Sequence, residues 1–414
     1  MNTSTAISTA PLAGQGSLAS NYGARNGSSA KIHVSRAFVK WTLIALLVRF
    51  LAALAIHGYS VSTGHNGFYP LGLSDDLAYW TFSRDIYNGI TAPSSGNVYP
   101  FVLAAFYHLI GGPNLLLGQM LNVLAGALTV GVAVLLVQEL TRENPSRAVR
   151  RRSINWAGAL LTVYPSLLWY STQLLKDAIL ILLGMIALYC QVLFLKRARL
   201  GPVLLWILCL FGIFFFRPYA VAAIVFSLGL FVLRFNRKWF IPVLFFMAFA
   251  PYALGSGIFG LNLIGPMIAT ENIATFRQQG YSVGGSSVGI TIDYSTPIGF
   301  LTTFSYSFAT AMFGPFPWQI RAAAQAVALP EAMGIWFLIP LWIRAMWDLF
   351  LPKRSDDRYG PRDTSLLLFS FVLAGLIALF SDNIGANTRL RLLAWSAFLI
   401  FSAIRLGNKR WKLL

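Results

Sequence analysis

The sequence predicts an all-α polytopic membrane protein of about ten transmembrane helices, with interfacial helices in two large outer loops. Three observations carry that class. Hydrophobic residues make up 57% of the 414 and charged residues only 11%, with a mean hydropathy of +0.64; a soluble chain needs far more charge to cover its surface. Apolar runs of about 20 residues recur, each long enough to span a hydrocarbon layer roughly 30 Å thick. These runs are continuous, unlike the short alternating strands of a β-barrel.

Taken in order, residues 1–36 are rich in Ser, Thr, Ala, Gly and Asn. They lack the apolar centre of a signal peptide and read as a disordered cytoplasmic tail. The run 37–58 is then a retained signal anchor. Further spans are expected at 115–138, 154–173, 177–195, 200–216, 218–233, 239–258, 331–350, 364–381 and 390–406. Two apolar stretches, 98–111 and 298–318, fit either spans or interfacial helices. The chain thus divides into a module at 37–235 with an outer loop at 59–114, and a second at 236–414 with an outer region at 259–330.

Positive charge decides the orientation. The formal net charge of +18 invites a nucleic-acid partner, but topology accounts for it and no nucleic acid is expected. Clusters around Arg36/Lys40, Arg150/Arg151/Arg152, Lys196/Arg197/Arg199, Arg237/Lys238, Arg354/Arg358 and Lys409/Arg410/Lys412 all fall on one side if ten runs span and both ambiguous stretches stay outside. The basic residues left over are Arg49, Arg84, Lys176, Arg217, Arg277, Arg321, Arg389 and Arg391. All but Arg49 lie on the outer side or at its boundary, where Asp75, Asp76, Asp85, Asp177, Glu271, Asp293, Glu331 and Asp382 join them. Chemistry is therefore expected on the outer face.

The first outer loop contains LGLSDDLAYW, in which Asp75 and Tyr79 stand i, i+4 and share one face of a helix. Leu77, Trp80, Phe82, Ile86 and Tyr87 suit an interfacial amphipathic helix over 76–88; a solvated acidic loop is the plainer alternative. Asp177 opens a span, where complementing the helix dipole would explain it equally well, and Lys176 precedes it. Arg217, in FFFRPYA, works against the orientation signal; its planar guanidinium suits a lipid phosphate, or it snorkels from a helix end. Arg389 and Arg391 repeat the pattern before the last span. Arg49, inside the first span, is costly unless it faces the bundle interior or snorkels. QQGYSVGGSSVGI is read as an ordinary flexible loop or a substrate lid. Cys190 and Cys209 sit in apolar runs and read as core residues, and His33, His57, His65 and His108 form no metal-ligand pair.

One span followed by a long outer loop with an acid pair and a tyrosine (Asp75-Asp76-Leu77-Ala78-Tyr79), then Tyr99-Pro100 through Gly111-Gly112, Tyr164-Pro165 and Asp177, resembles the GT-C superfamily of polytopic glycosyltransferases. The nearest likeness is to the protein O-mannosyltransferase and lipid A aminoarabinose transferase group. It covers about residues 37–235. The C-terminal half matches loosely: family members often carry an Arg-Tyr or Arg-His pair followed by Pro, whereas this chain reads Arg389-Leu390-Arg391 without the proline.

The resemblance implies a sugar transfer, with inversion, from a polyprenyl-phosphate carrier to a glycan, lipid or protein acceptor on the extracytoplasmic face of a membrane, for which the bacterial inner membrane is expected. Asp75 takes the position of the catalytic acid and would act as general base. Asp76 and Asp177 would orient the acceptor or hold a divalent cation, Mg or Mn, where one is used. Lys176, Arg217, Arg389 and Arg391 would hold the lipid phosphate, and Tyr79 would contact substrate. The rivals are a transporter or flippase for lipid-linked sugars and a non-catalytic membrane scaffold. Transporters tend to place polar groups near the midplane and to show internal repeats, and a scaffold gives no reason for the outer charges.

Overall fold

The structure, a computed structural model, describes residues 35–68, 75–90, 97–197, 199–235, 277, 296–321, 326, 328–343, 363–381 and 383–408. The expected tail, the span 239–258, the QQGYSVGGSSVGI segment and Glu271, Asp293 and Asp382 lie outside these residues. The described secondary structure is helical: α1 Arg36–Ser62, α2 Asp75–Tyr87, α3 Tyr99–Ile110, α4 Leu115–Leu140, α5 Arg147–Val163, α6 Pro165–Tyr170, α7 Asp177–Arg197, α8 Leu200–Phe216 and α9 Pro218–Phe235. After these come α10 Pro297–Phe313, a short 3-10 turn Pro317–Gln319, α11 Leu329–Trp336, α12 Asp363–Phe380, α13 Ile384–Leu390 and α14 Leu392–Asn408.

Three of these helices, α1, α4 and α7, are long and apolar enough to cross a membrane, and α13–α14 makes a fourth if its two halves, bent by 57°, count as one span. The chain is thus a helical membrane protein. α3, α8, α9 and residues 365–380 of α12 are shorter apolar helices.

Local chemistry sets the boundaries. Asn114 caps α4 by accepting from Leu117 N, Ser146 caps α5 from Val149 N, Thr296 caps α10 from Gly299 N, and Asn383 caps α13 from Ala386 N. Gly111, at φ 84°, ends α3 in the left-handed region that glycine enters without a Cβ penalty. The run 154–173, expected as one span, is divided into α5 and α6. Pro165 has no N–H to continue the ladder, so the helix stops at Val163 and restarts at the proline itself. The expected span 390–406 likewise begins earlier, with the bend at Arg391.

α4 is the central helix, buried along most of its length, with α1, α5 and α7 packed around it. α1 shows how the packing is divided. Ala45, Arg49 and Ala53, at i, i+4 spacing, are buried, whereas Leu43, Leu47, Leu51 and Leu54 are exposed on the face left for lipid. Close approach depends on small residues. A Cβ on Gly131 would lie 2.2 Å from Thr42 Oγ1, and one on Gly158 would lie 2.1 Å from the Trp41 ring. α14 is buried almost throughout and packs against α5 and α12. Trp395 and Phe398 pack there against Trp342, and Phe371 of α12 meets Phe398 edge-on.

Candidate functional site

The site is built where three chain segments distant in sequence meet at the N-terminus of α7. α2 brings Asp75, the Lys176–Asp177 turn opens α7, and α13 supplies Arg389. Arg217 comes from the turn between α8 and α9, where its backbone N–H closes α8 on Ile213 O and Pro218 starts the next helix. Asp177 is fully buried and lies between two guanidinium groups. Arg217 Nη2 donates to its Oδ1 at 2.5 Å, and Arg389 Nε lies 3.1 Å from its Oδ2. Arg389 Nη1 also donates to Asp75 Oδ2 at 2.8 Å. The Asp75 side chain is 51% exposed and that of Asp177 only 1%.

Lys176 sits beside this group, half-buried. Burial, and then the Arg217 guanidinium, bring its amine down to about 8, partly offset by Asp177. Tyr79, one turn after Asp75 on α2, is buried. Its hydroxyl accepts from Asn97 Nδ2 at 3.0 Å, and its ring meets Tyr99 edge-on at 5.1 Å. Burial and the Asp75 carboxylate hold the phenol well above its usual value, so Tyr79 is neutral at any working pH. Beside Arg217 and Arg389 lies a small crevice of about 10 Å³, room for roughly one water, whose walls are otherwise mainly apolar, with Leu180, Ile181, Ala220 and Leu373 among them.

The structure therefore brings Asp75, Tyr79, Lys176, Asp177, Arg217 and Arg389 together. It sends two expected site residues elsewhere. Asp76, adjacent to Asp75, is buried on another side of α2, and its Oδ1 accepts from Leu77 N at 2.8 Å. Arg391, two residues after Arg389 and so on nearly the opposite side of the helix, has other partners. Its Nη1 donates to Gly314 O at 2.6 Å and to Ala311 O at 3.3 Å, and its Nη2 to Glu331 Oε1 at 3.4 Å. The first of these contacts caps the end of α10.

Glu331 is the residue whose importance the sequence left unseen. Buried near the start of α11, it accepts from Tyr164 Oη at 2.7 Å, from Ser166 N at 2.8 Å and from Ser166 Oγ. Its carboxylate is thus satisfied by α6 as well as by Arg391. The Tyr164-Pro165 pair was the available signal: Pro165 restarts the helix, and the N–H of Ser166, free in that first turn, is offered to an acid.

Among the described residues no three His, Cys, Asp or Glu side chains converge as a metal-ligand set. The Asp177 carboxylate is matched by two guanidinium groups rather than left for a cation, so the described residues as placed do not fit a divalent ion. Neither protein-family descriptions, nor curated proteins, nor solved structures provide a match to the chain.

Proposed function

We propose that the chain is a membrane glycosyltransferase of GT-C type, with about ten spans, acting at the extracytoplasmic face of a bacterial inner membrane. It would move a sugar from a polyprenyl-phosphate carrier to an acceptor hydroxyl, with inversion. One observation carries this reading: an exposed carboxylate, Asp75, shares Arg389 with the buried Asp177–Arg217 pair beside a small, mainly apolar crevice. A base and a cationic seat for phosphate are then contiguous, beside apolar side chains.

The chemistry follows from those parts. Asp75 accepts the proton of the acceptor hydroxyl as its oxygen attacks the anomeric carbon. The bond from that carbon to the phosphate oxygen breaks, and its electron pair stays on the lipid phosphate. Arg217, Arg389 and protonated Lys176 stabilise the charge that develops there. A single displacement of this kind inverts the anomeric centre. Asp177 keeps the two arginines fixed, so that they need not reorganise during the reaction. No step runs through a metal.

The test is transfer by purified protein in proteoliposomes, with a panel of labelled polyprenyl-phosphate sugars and cell-envelope acceptors. Sugar released from the carrier to an acceptor, and lost in Asp75→Asn, supports the proposal. Movement of the intact carrier across the bilayer without cleavage would identify a transporter or flippase instead.

A further inference from the structure

We propose that Arg49 is a positioning residue of the site, tying the last turn of α5 to the residue that closes α6 and thereby fixing where the Lys176–Asp177 turn and Arg389 stand. Its effect on sugar transfer rests on the glycosyltransferase reading; the clamp itself does not.

An arginine in the middle of an apolar span needs partners to be tolerated. Arg49 is fully buried, and none of the ion pairs among the described residues includes it. What it holds instead is backbone and hydroxyl. Its Nη2 donates to Leu161 O at 3.0 Å, and its Nε to Ser171 Oγ at 3.1 Å. Leu161 stands four residues before Pro165, so its carbonyl is the one that the proline leaves without a helical donor. Ser171 is the residue that closes α6. One side chain therefore grips the chain on both sides of this six-residue helix, and its contact to Leu161 answers the gap that Pro165 creates.

From α6 the site is reached in two directions. Tyr170, its last residue, is hydrogen-bonded to Thr388 Oγ1 at 3.0 Å, and Thr388 is the neighbour of Arg389. Beyond Ser171 the turn leads directly to Lys176 and Asp177. Ser166, in the first turn of α6, holds Glu331. The clamp has a made-to-measure seat. A Cβ on Gly126 would fall 2.9 Å from Arg49 Nε and 2.6 Å from Ser171 Cβ, so only glycine admits both groups there. Arg49 touches neither Asp75 nor Asp177; it acts through α6.

The test uses full-length protein in nanodiscs and reads the pH profile of Lys176 acylation by mass spectrometry. In the wild type, half-maximal labelling is expected near pH 8, where burial places the Lys176 amine. Arg49→Gln releases the turn, and the midpoint climbs toward that of an ordinary lysine, to about 9 or above. Arg49→Lys, which keeps a donor for the Leu161 carbonyl, returns part of the way. An unchanged midpoint in folded Arg49→Gln overturns the proposal, as does an Arg49→Lys midpoint displaced as far as that of Arg49→Gln. Should Arg49→Gln not fold, Arg49→Lys and Gly126→Ala are scored by the same midpoint. A transfer assay runs in parallel, where Arg49→Gln is expected to lower kcat about tenfold. If the wild type transfers no sugar, the glycosyltransferase reading falls, while the Lys176 profile still decides the clamp.

Discussion

Arg389 donates to the Asp75 carboxylate at 2.8 Å across 314 residues of chain, and the same guanidinium lies 3.1 Å from Asp177. The two acids differ in solvent exposure, and this divides their roles. Asp177 is locked in place by two cations, whereas Asp75 keeps half of its side chain open to solvent.

Replacing Asp75 by Asn is therefore expected to remove turnover by about 10²–10⁴-fold with little change in folding. A half-exposed ion pair contributes only about 0–1 kcal/mol. Turnover in proteoliposomes and thermal unfolding in detergent measure the two effects. Intact transfer by the Asn variant would end the assignment of Asp75 as base.

The buried Asp177–Arg217 pair should behave in the opposite way. Arg217→Met leaves Asp177 short of a partner in a dry site and should destabilise by about 3–5 kcal/mol. The double variant Asp177→Asn/Arg217→Met should recover part of that loss, because no buried carboxylate then lacks its cation. Additive losses in thermal unfolding would contradict the coupling.

Lys176 gives the site a pH dependence with a definite sign. Its folded-state amine titrates near 8, below the unfolded value of 10.5. Between those values the unfolded chain binds more protons, so stability rises with pH across that window. Anion binding moves the other way. Affinity for dodecyl phosphate should fall as pH rises through about 8, because the ammonium that meets the phosphate is lost. Lys176→Met should flatten that step in a titration by calorimetry.

The two arginines that the sequence presents as a pair should separate in the same titration. Arg389→Met should weaken dodecyl phosphate binding by about tenfold or more. Arg391→Met should leave affinity near that of the wild type while lowering the unfolding temperature, since it strands Glu331 among α6, α10 and α11. Equal losses of affinity in both would show that Arg391 also reaches the anion.

Much of the fold was legible because its signals are local. Apolar runs, Pro100, Pro218 and the cap residues Asn114 and Ser146 act within a few residues of where they stand, and α1, α4 and α7 follow their expected limits closely. The division of 154–173 at Pro165 was equally local in cause, but the hydropathy of the run masked it. At the site, the i, i+4 relation of Asp75 and Tyr79 and the isolation of Asp177 and Arg217 could be read from spacing and composition. Glu331 could not, because nothing near it in sequence distinguishes it from any other outer-face acid.

By itself, then, the sequence determined a helical membrane protein, its candidate acids and the arginines that orientation left unexplained. Only the tertiary structure decided which of neighbouring residues belong together: Asp75 but not Asp76 with Arg389, and Arg389 but not Arg391 with Asp177. The physical reason lies in geometry. Adjacent residues on a helix point about 100° apart, and residues two apart, such as Arg389 and Arg391, about 160°. Charge pairing then depends on which distant segment packs on each side, and that is settled by close packing of α4, α6 and α7 rather than by any local signal.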